Sequence, residues 1–381
     1  MVQPAPKTLE KSKIPLATPD LRGHEAEYLL QCVRDNWVSS VGPFVTELEK
    51  RMAALAQTKH GIATVNGTAA LHLVLIALGI GAGVKVILPD WTFAATANAV
   101  CHAGAQPWFV DVSAKSWSLN PDLVADVLQR PDHGIAAVIA VDPLGHPADM
   151  DPLRKICAAA GIPLIEDAAG AIGATYNGRP CGGLGDFGTF SFNGNKTITA
   201  GGGGMIVTND ETAAKKMRAL SAQARSGADY VHDEVGWNYR MTNINAAVGL
   251  AQLERLDEMV GTKKRIAARY DAALAGRNDL IPMPRQSWAE SSCWHYGVFT
   301  GSEDNARALV THMNNLAIEV RIFWRSLCTQ KPWKDAPRTL TGVSESLSGR
   351  VVALPCSTHI REDELDRVVT ALAGFRGTDP V

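Results

Sequence analysis

The sequence predicts an α/β protein with a mostly parallel sheet, followed by a smaller α+β domain. Apolar runs of strand length alternate with helix-length patterns through the first two-thirds of the chain, as in repeated strand–helix units. From residue 243 to about 274 the apolar spacing becomes helical, which indicates a link to a second domain. The 381 residues can bury one large core and a smaller one. We expect a large domain over residues 14–265 and a small C-terminal domain over 266–381.

The predicted elements follow one another in chain order. Strands buried on both faces are expected at 61–65, 84–88, 107–110, 136–141 and 162–165, with a further strand-like run at 187–192. The helices between them are expected at 68–78, 94–103, 121–128 and 150–160. In the small domain the pattern predicts a strand at 296–300, a helix at 303–315, a strand at 318–323 and a terminal helix at 362–372.

Composition narrows the class of partner and the compartment. The chain has 37 basic and 39 acidic residues, a net charge of −2, so no excess charge attracts nucleic acid or a membrane surface. Its 7 cysteines are scattered and odd in number, which disfavours a disulfide framework and favours a reducing compartment. The polar segment 1–13 and the lack of a long apolar run predict neither a signal peptide nor a membrane span. We therefore expect a cytoplasmic protein.

Lys196 is the strongest candidate for a catalytic residue in this sequence. It follows the strand-like run 187–192 and precedes four glycines at 201–204, and neither segment can form a solvated charged face. Partial burial lowers the pKa of a lysine, and amine chemistry on a carbonyl needs a lysine that can lose its proton. The alternative is an ordinary loop or cap lysine.

Segment 65–70 is a candidate phosphate site. Its sequence Val-Asn-Gly-Thr-Ala-Ala joins a strand end to the start of an alanine-rich helix. Free backbone N–H groups at such a helix N-terminus, with the Thr68 hydroxyl, can hold a phosphate without net positive charge. The alternative is a simple N-cap at Asn66.

Acidic residues follow the buried strand at 162–165. Glu166 and Asp167 lie at its carboxyl end, the edge of a parallel sheet that faces ligands. An aspartate there could keep a ring nitrogen protonated through a charge-assisted hydrogen bond, or could cap the next segment. No histidine pair has metal-ligand spacing, so we expect no metal, and the string around Lys196 departs from a phosphate-loop ATPase motif.

Together these segments resemble the DegT/DnrJ/EryC1/StrS aminotransferases. The matching segments, in the family's order and across nearly the whole chain, are NGTAAL at 66–71, TFAAT at 92–96, EDAA at 166–169, FSF at 190–192 with Lys196, GGM at 203–205 and NYRMTN at 238–243. The family has the type I aminotransferase fold, uses pyridoxal 5′-phosphate and mostly aminates keto sugars carried on nucleotides. The resemblance implies the same fold, cofactor and activity for this chain.

The resemblance also implies roles for individual residues. Lys196 becomes the Schiff-base lysine and proton carrier, and Asp167 the partner of the pyridinium nitrogen. Phe93 stacks on the ring. The phosphate is held by Gly67, Thr68 and Ser191, and by Asn238 or Arg240 from a neighbouring subunit, which implies a homodimer. Ala69 and Gly170 are further cofactor-binding positions. Gly170 stands where the family commonly has glutamine or another polar residue, so the usual contact to the ring hydroxyl is missing.

The expected substrate is a nucleotide-linked keto sugar, with L-glutamate as amino donor. Segments 37–42 and 193–196 look most like enzymes that aminate carbon 4 of UDP-linked 4-keto-6-deoxy-N-acetylhexosamines, which we place first, or like GDP-perosamine synthases. Amination at carbon 3, a pyridoxal-phosphate dehydratase or lyase, and a non-catalytic regulator remain alternatives. The expected substrate contacts are Ser40, Asn193, Arg321 and Trp324.

Overall fold

The computed structural model describes residues 12–227 and 229–377. The sequence-based expectations for segment 1–11 and for the end of the small domain at 378–381 therefore lie outside the described residues. The helices are α1 (Glu25–Arg34), α2 (Pro43–Leu55), α3 (Gly67–Ala77), α4 (Ala94–His102), α5 (Pro121–Leu128), α6 (Met150–Ala160), α7 (Glu211–Ser221), α8 (Asn243–Leu253), α9 (Leu256–Leu274), α10 (Glu303–Asn315), α11 (Val343–Leu347) and α12 (Glu362–Gly374).

The strands are mostly short. They are β1 (His60–Thr64), β2 (Lys85–Pro89), β3 (Gln106–Val110), β4 (Ile135–Val141), β5 (Leu164–Asp167), β6 (Thr175–Tyr176), β7 (Arg179–Pro180), β8 (Phe187–Ser191), β9 (Gly204–Thr208), β10 (Arg225–Ser226), β11 (Val231–His232), β12 (Ile281–Pro282), β13 (Ala289–Glu290), β14 (Tyr296–Phe299), β15 (Arg321–Phe323), β16 (Arg338–Thr339) and β17 (Val351–Leu354).

The large sheet has eight strands in the order β1-β9-β8-β5-β4-β2-β3-β16. β9 is antiparallel to both of its neighbours, and the remaining pairs are parallel. Helices cover both faces: α3 and α7 contribute Leu73 and Met217 to one core, while α2 and α6 contribute Leu48 and Leu153 to the other. Burial on both faces explains the continuous apolar runs, and the predicted mostly parallel α/β sheet is confirmed.

The strand order predicts a ligand crevice at the carboxyl ends of the strands of this sheet. β2 connects to β3 on one side of it, whereas β4 connects to β5 on the opposite side. The order in which strands are added to the sheet therefore reverses between β2 and β4. Ligands of open α/β sheets bind at the carboxyl ends of the strands beside such a reversal. The segments that follow β2, β4 and β5 therefore meet in one place.

The C-terminal part folds around a separate antiparallel sheet, β12-β14-β17-β15. Tyr270 of α9, Leu309 of α10 and Val368 of α12 pack together over it. Met259, near the start of α9, packs in the large core. The predicted domain boundary at 265/266 therefore falls within this helix, and it stays a prediction. Ile14 packs into the small core and pairs with Ile318.

The predicted elements lie close to the observed ones, with two differences. The strand expected at 318–323 is confined to Arg321–Phe323, because Ile318 pairs with Ile14 in an isolated bridge instead. The helical stretch at 243–274 is divided by Glu254 and Arg255 into α8 and α9. Within residues 12–227 and 229–377, no helix combines the length and the apolarity that a membrane crossing requires.

Candidate active site

A cavity of about 310 Å³ opens at the carboxyl ends of the large sheet. One wall comes from the large domain, through the strand ends, the start of α3 and the loop after β8. The facing wall comes from the small domain. The lining side chains that carry charge or aromatic rings are Phe93, Asp142, Asp167, Lys196, Trp294, Arg321, Phe323 and Trp324.

Asp167 is the last residue of β5 and only 5% exposed. One carboxylate oxygen accepts a hydrogen bond of 2.8 Å from the Thr96 hydroxyl, and the other accepts one of 3.2 Å from the Ala169 N–H. Burial raises the pKa of Asp167, while the Thr96 hydroxyl and the charge of Lys196 act in the opposite direction. The carboxylate is therefore fixed in direction and faces a cationic partner.

Two further buried carboxyl groups, those of Asp142 and Glu166, lie near Asp167. A carboxylate oxygen of Asp142, one of Glu166 and the Cys181 sulfur lie within 4.8 Å of one another. Glu166 accepts hydrogen bonds from the N–H groups of Gly182 (2.6 Å) and Leu184 (2.8 Å). Burial, and then the charge of Glu166, raise the pKa of Asp142 well above its usual value. This shift favours the protonated form of Asp142, which lessens the negative charge next to Asp167.

Lys196 lies in the loop that follows β8, where its N–H donates to the Asn193 carbonyl at 3.0 Å. Its Nζ is 3.4 Å from the centre of the Trp294 ring. Burial lowers the pKa of Lys196 to about 7, although Asp167 acts to raise it. The amine can therefore gain or lose a proton near neutral pH, as proton transfer at a substrate carbon requires.

The start of α3 forms one end of the cavity. The first intrahelical bond runs from the Ala70 N–H to the Asn66 carbonyl, and the Asn66 side chain accepts the Ala69 N–H at 2.8 Å. Gly67 and Thr68 line the cavity, and their N–H groups precede the first intrahelical bond. A Cβ on Gly67 would lie 3.0 Å from the Ser191 Cβ, so the two residues form a tight cradle.

Aromatic side chains from both domains line the cavity. Phe93 precedes α4 and is 61% exposed. Phe323 and Trp324 stack with ring centres 5.4 Å apart, and the Trp324 carbonyl accepts the indole N–H of Trp91 at 3.1 Å. Cys328, just beyond, donates its N–H to Asp90 at 2.8 Å. The small-domain wall is therefore tied to the end of β2.

Most of the predicted site residues meet in this cavity. Gly67, Thr68, Phe93, Asp167, Gly170, Ser191, Asn193, Lys196, Arg321 and Trp324 all line it. Ala69 does not line the cavity, and its N–H donates to the Asn66 side chain.

Three other predicted residues lie elsewhere. Ser40 lies between α1 and α2, Asn238 pairs with Ala222, and Arg240 lines a separate groove near Val41. The roles of all the predicted residues, in the cavity or outside it, stay predictions.

Sequence reasoning missed Trp294, Phe323 and the hydroxyl of Thr96. Trp294 lies two residues before β14 and about 100 residues from Lys196 in the chain. No local pattern marks it, since only tertiary packing brings it to the amine. Thr96 lies inside the matching TFAAT segment, in the first turn of α4, and its hydroxyl donates to Asp167.

The residues present fit pyridoxal 5′-phosphate. The cradle of Gly67, Thr68 and Ser191 offers uncharged donors to a phosphate, and Asp167 offers a buried carboxylate to a ring nitrogen. Lys196 offers an amine of lowered pKa. When bound, this cofactor supplies an electron sink for charge that develops on a substrate carbon. A mostly parallel sheet with this site at the carboxyl ends of its strands is the arrangement of a pyridoxal-phosphate-dependent enzyme.

The comparison with known families agrees with this class. The DegT/DnrJ/EryC1/StrS aminotransferase family matches residues 19–373, and the chain belongs to that family. It is therefore a pyridoxal-phosphate-dependent sugar aminotransferase.

Individual relatives are similar over nearly their whole length. The chain is 39% identical over 365 residues to a GDP-perosamine synthase of Caulobacter vibrioides, covering 94% of this chain and 97% of the relative. It is also 39% identical to the putative pyridoxal phosphate-dependent aminotransferase EpsN of Bacillus subtilis, with 94% and 95% covered. The crystal structure of DesI with its TDP-sugar product superposes with a TM-score of 0.87 at 31% identity, over 95% of this chain and 92% of that one.

Proposed function

We propose that this protein transfers an amino group from L-glutamate to carbon 4 of a nucleotide-linked 4-keto-6-deoxy sugar. The reaction takes place in the cytoplasm and supplies amino sugars for bacterial surface glycans. The observation that carries the proposal is the meeting of Lys196 and Asp167 in one cavity, where an amine of lowered pKa faces a buried carboxylate. An amine and a carboxylate so placed suit amino-group transfer with a bound pyridoxal phosphate.

Lys196 carries the proton in this proposal. With a pKa of about 7 its amine accepts a proton from the amino donor's α-carbon in one half of the reaction and returns one to the sugar carbon in the other. Asp167 stays ionised against a protonated ring nitrogen, and the Thr96 hydroxyl holds it in that direction. Gly67, Thr68 and Ser191 hold the cofactor phosphate, and the exposed ring of Phe93 covers the cofactor ring.

The nucleotide end of the substrate is assigned to the small-domain wall. Arg321 lies at the cavity with its guanidinium paired to Glu319 at 2.8 Å, and both are near the surface. Because such exposed pairs contribute little stability, a diphosphate can replace Glu319 as the partner of Arg321. Trp324 offers a flat face to the sugar. Ser40 and Asn193 remain proposed contacts, with Ser40 reaching a site from the neighbouring subunit.

Similarity to proteins named GDP-perosamine synthase supports one order of the candidate nucleotides over another. The sequence alone placed a UDP-linked N-acetyl sugar first. The 39% identity to the Caulobacter vibrioides relative, which extends over nearly both chains, supports the GDP-linked form ahead of the UDP-linked form. We therefore propose a GDP-linked 4-keto-6-deoxyhexose as the preferred substrate.

A homodimer completes the site. Asn238 and Arg240 lie outside the cavity of their own chain, where they are free to reach the cofactor phosphate of a second copy. Large apolar side chains are exposed on the same part of the molecule, around α1 and the loop that follows it, as expected of a surface covered by a partner. These exposed residues are Leu21, Leu29, Leu30, Val33, Trp37, Val38 and Val41.

The test is a substrate panel. The purified protein is supplied with pyridoxal 5′-phosphate, L-glutamate and GDP-, UDP- or dTDP-linked 4-keto-6-deoxy sugars, with the free sugars as controls. We expect turnover of the GDP-linked sugar first, a product with nitrogen at carbon 4 by NMR, and one 2-oxoglutarate for each amino sugar. Amination at carbon 3, or equal rates on free and nucleotide-linked sugars, would contradict the proposal. A product formed without consumption of glutamate would identify a lyase, and binding without any turnover would identify a regulator.

A further inference from the structure

Trp294 reaches the active site from the small domain. It precedes β14, is 6% exposed, and its indole N–H donates to the Asn195 carbonyl at 2.7 Å. The buried side chain of Lys263 donates from Nζ to the Trp294 carbonyl at 3.1 Å. Both the ring and the backbone of Trp294 are therefore held in place, with one bond reaching the residue next to Lys196.

The indole ring covers the amine of Lys196. The distance of 3.4 Å from Nζ to the ring centre leaves no room for a water molecule between them. The ring therefore removes water from one side of the amine, which favours the neutral form, while attraction to the ring face favours the charged form. Burial as a whole lowers the pKa of Lys196, and the ring is one of the groups that bury the amine, so we expect the exclusion of water by the ring to exceed its attraction for the charged form.

Gly170 provides the room for this ring. A Cβ on Gly170 would lie 2.4 Å from Trp294 Cε3 and 3.0 Å from Cζ3, closer than carbon atoms approach. Gly170 does not have a positive φ, so its backbone conformation would accept other residues. The requirement for glycine is therefore steric. The Gly170 carbonyl also accepts the Ser292 hydroxyl at 3.2 Å, which joins the two segments.

We propose that Trp294 positions the amine of Lys196 and excludes water from it. We propose further that position 170 is a glycine because the indole ring occupies the space that a side chain there would need. The proposal rests on the role of Lys196 given above. It also accounts for the absence of a polar side chain at position 170: the space that such a side chain would enter is filled from the small domain. Trp294 acts on the reaction through Lys196, as a positioning residue.

Other titratable and charged groups around Lys196 also affect pKa values in this cavity. Asp167 of β5 raises the pKa of Lys196. His295, next to Trp294, is buried, and burial together with the charges of Lys263, Lys196 and Arg321 lowers its pKa well below the usual value, so it is neutral. Arg321 lines the same cavity. Since these groups are unchanged in variants of Trp294 and Gly170, a change in Lys196 titration reports on the ring.

The test measures Lys196 titration in the cofactor-free protein, so it does not depend on turnover. Trace labelling with acetic anhydride across the pH range, read by mass spectrometry of the Lys196 peptide, gives the pH at which the amine is half-reactive, with exposed Lys155 as internal reference. We expect a midpoint near pH 7 in the native protein. Trp294→Ala should raise it by about 1 pH unit or more, because water then reaches the amine.

Paired variants separate the ring from general damage. Gly170→Ala should raise the midpoint by displacing the ring, but should add nothing in the Trp294→Ala background, since the clash is then gone. Trp294→Phe keeps a ring of smaller area and should lie between the native protein and Trp294→Ala, and it serves if the alanine variant does not fold. Gly261→Ala, where a Cβ meets nothing, is the matched control and should leave the midpoint unchanged.

The result that overturns the proposal is a midpoint within about 0.3 pH unit of native in both Trp294→Phe and Trp294→Ala. Additive shifts from Gly170→Ala and Trp294→Ala would overturn the pairing of the two positions. Activity retained by a Lys196→Ala variant would instead overturn the role of Lys196 and leave the titration result standing, so the two failures are distinguishable.

Discussion

The two walls of the active-site cavity are built in different ways. The large-domain wall presents residues at the ends of adjacent parallel strands, such as Asp167 after β5, and at the start of α3. The small-domain wall presents Trp294, Arg321 and Trp324 from segments that reach the cavity only through packing between domains. The first wall follows from the sheet itself, and the second from contacts between distant parts of the chain.

This difference assigns different tasks to the two walls. In the proposed function the sheet-end residues hold the cofactor and move the proton, which every substrate of such an enzyme needs. Among the small-domain residues, Arg321 and Trp324 are proposed to contact the part of the substrate beyond the reacting carbon, where substrates differ, whereas Trp294 is proposed to act on Lys196. We therefore expect changes on the large-domain wall to abolish turnover, and changes on the small-domain wall to alter substrate affinity or the titration of Lys196.

The largest effect is expected from Lys196→Ala. The variant loses both the amine that links the cofactor and the proton carrier, so turnover should fall below detection while pyridoxal phosphate still binds through Gly67, Thr68 and Ser191. Steady-state assay and equilibrium dialysis of the cofactor measure the two properties. Lys155→Ala, an exposed lysine of α6, is the control and should retain native turnover. Activity above a trace in Lys196→Ala would show that the large-domain wall is misassigned.

Asp167→Asn should follow, with a loss of about 10²-fold in kcat, the size found for single electrostatic contacts in active sites. The amide keeps the shape of the carboxylate but removes the charge that holds the ring nitrogen protonated. The control is Asp257→Asn, an exposed aspartate in the first turn of α9. Turnover within twofold of native in Asp167→Asn would be incompatible with the role given to this carboxylate.

Subunit complementation tests whether the large-domain wall is completed by a second copy. Lys196→Ala subunits and Asn238→Ala/Arg240→Ala subunits should each be inactive, because each lacks one contribution to every site. A heterodimer of the two has one site with both native contributions, so co-refolding should restore activity approaching one working site per heterodimer. Heterodimers demonstrated by mass spectrometry that stay inactive would count against a shared site.

A smaller effect is expected on the other wall. Arg321→Gln removes a charge from the cavity and should raise KM for the nucleotide sugar by about tenfold, the value of one charged hydrogen bond, with kcat nearly unchanged. The half-reaction with glutamate alone should be unaffected. Arg325→Gln, an exposed arginine paired with Glu303, is the matched control. Equal damage to both half-reactions would mean that the small-domain wall also serves the chemistry.

The same contrast separates what the sequence predicts from what it does not. The strands β2, β4 and β5 are evident from apolar runs, and the parallel arrangement places their carboxyl ends together, so the amino-acid sequence is sufficient to assign Asp167 to the ligand edge. Lys196 could be assigned from its apolar and glycine-rich flanks. Arg321 and Trp324 were reached only through family resemblance, because nothing in their local sequence marks them.

Trp294 and Gly170 show why the remainder could not be predicted. From the sequence, the glycine at 170 indicates only a missing polar contact, whereas the fold brings an indole ring from about 120 residues along the chain into steric contact with it. The Asn66 cap is different in kind, because it is a local contact in which the Asn66 side chain accepts the Ala69 N–H, and the sequence already offered it as an alternative. The contact between Gly170 and Trp294 depends on tertiary geometry that local sequence does not contain.

The most direct test of the account is to identify the lysine that bears the cofactor. The enzyme loaded with pyridoxal 5′-phosphate is reduced with borohydride, digested, and the modified peptide is located by mass spectrometry. We predict the phosphopyridoxyl group on Lys196 alone, because its amine lies in the cavity opposite Asp167 at a pKa of about 7. Modification of Lys263, the buried lysine that holds the Trp294 carbonyl, or of any other lysine in place of Lys196, would contradict the central claim.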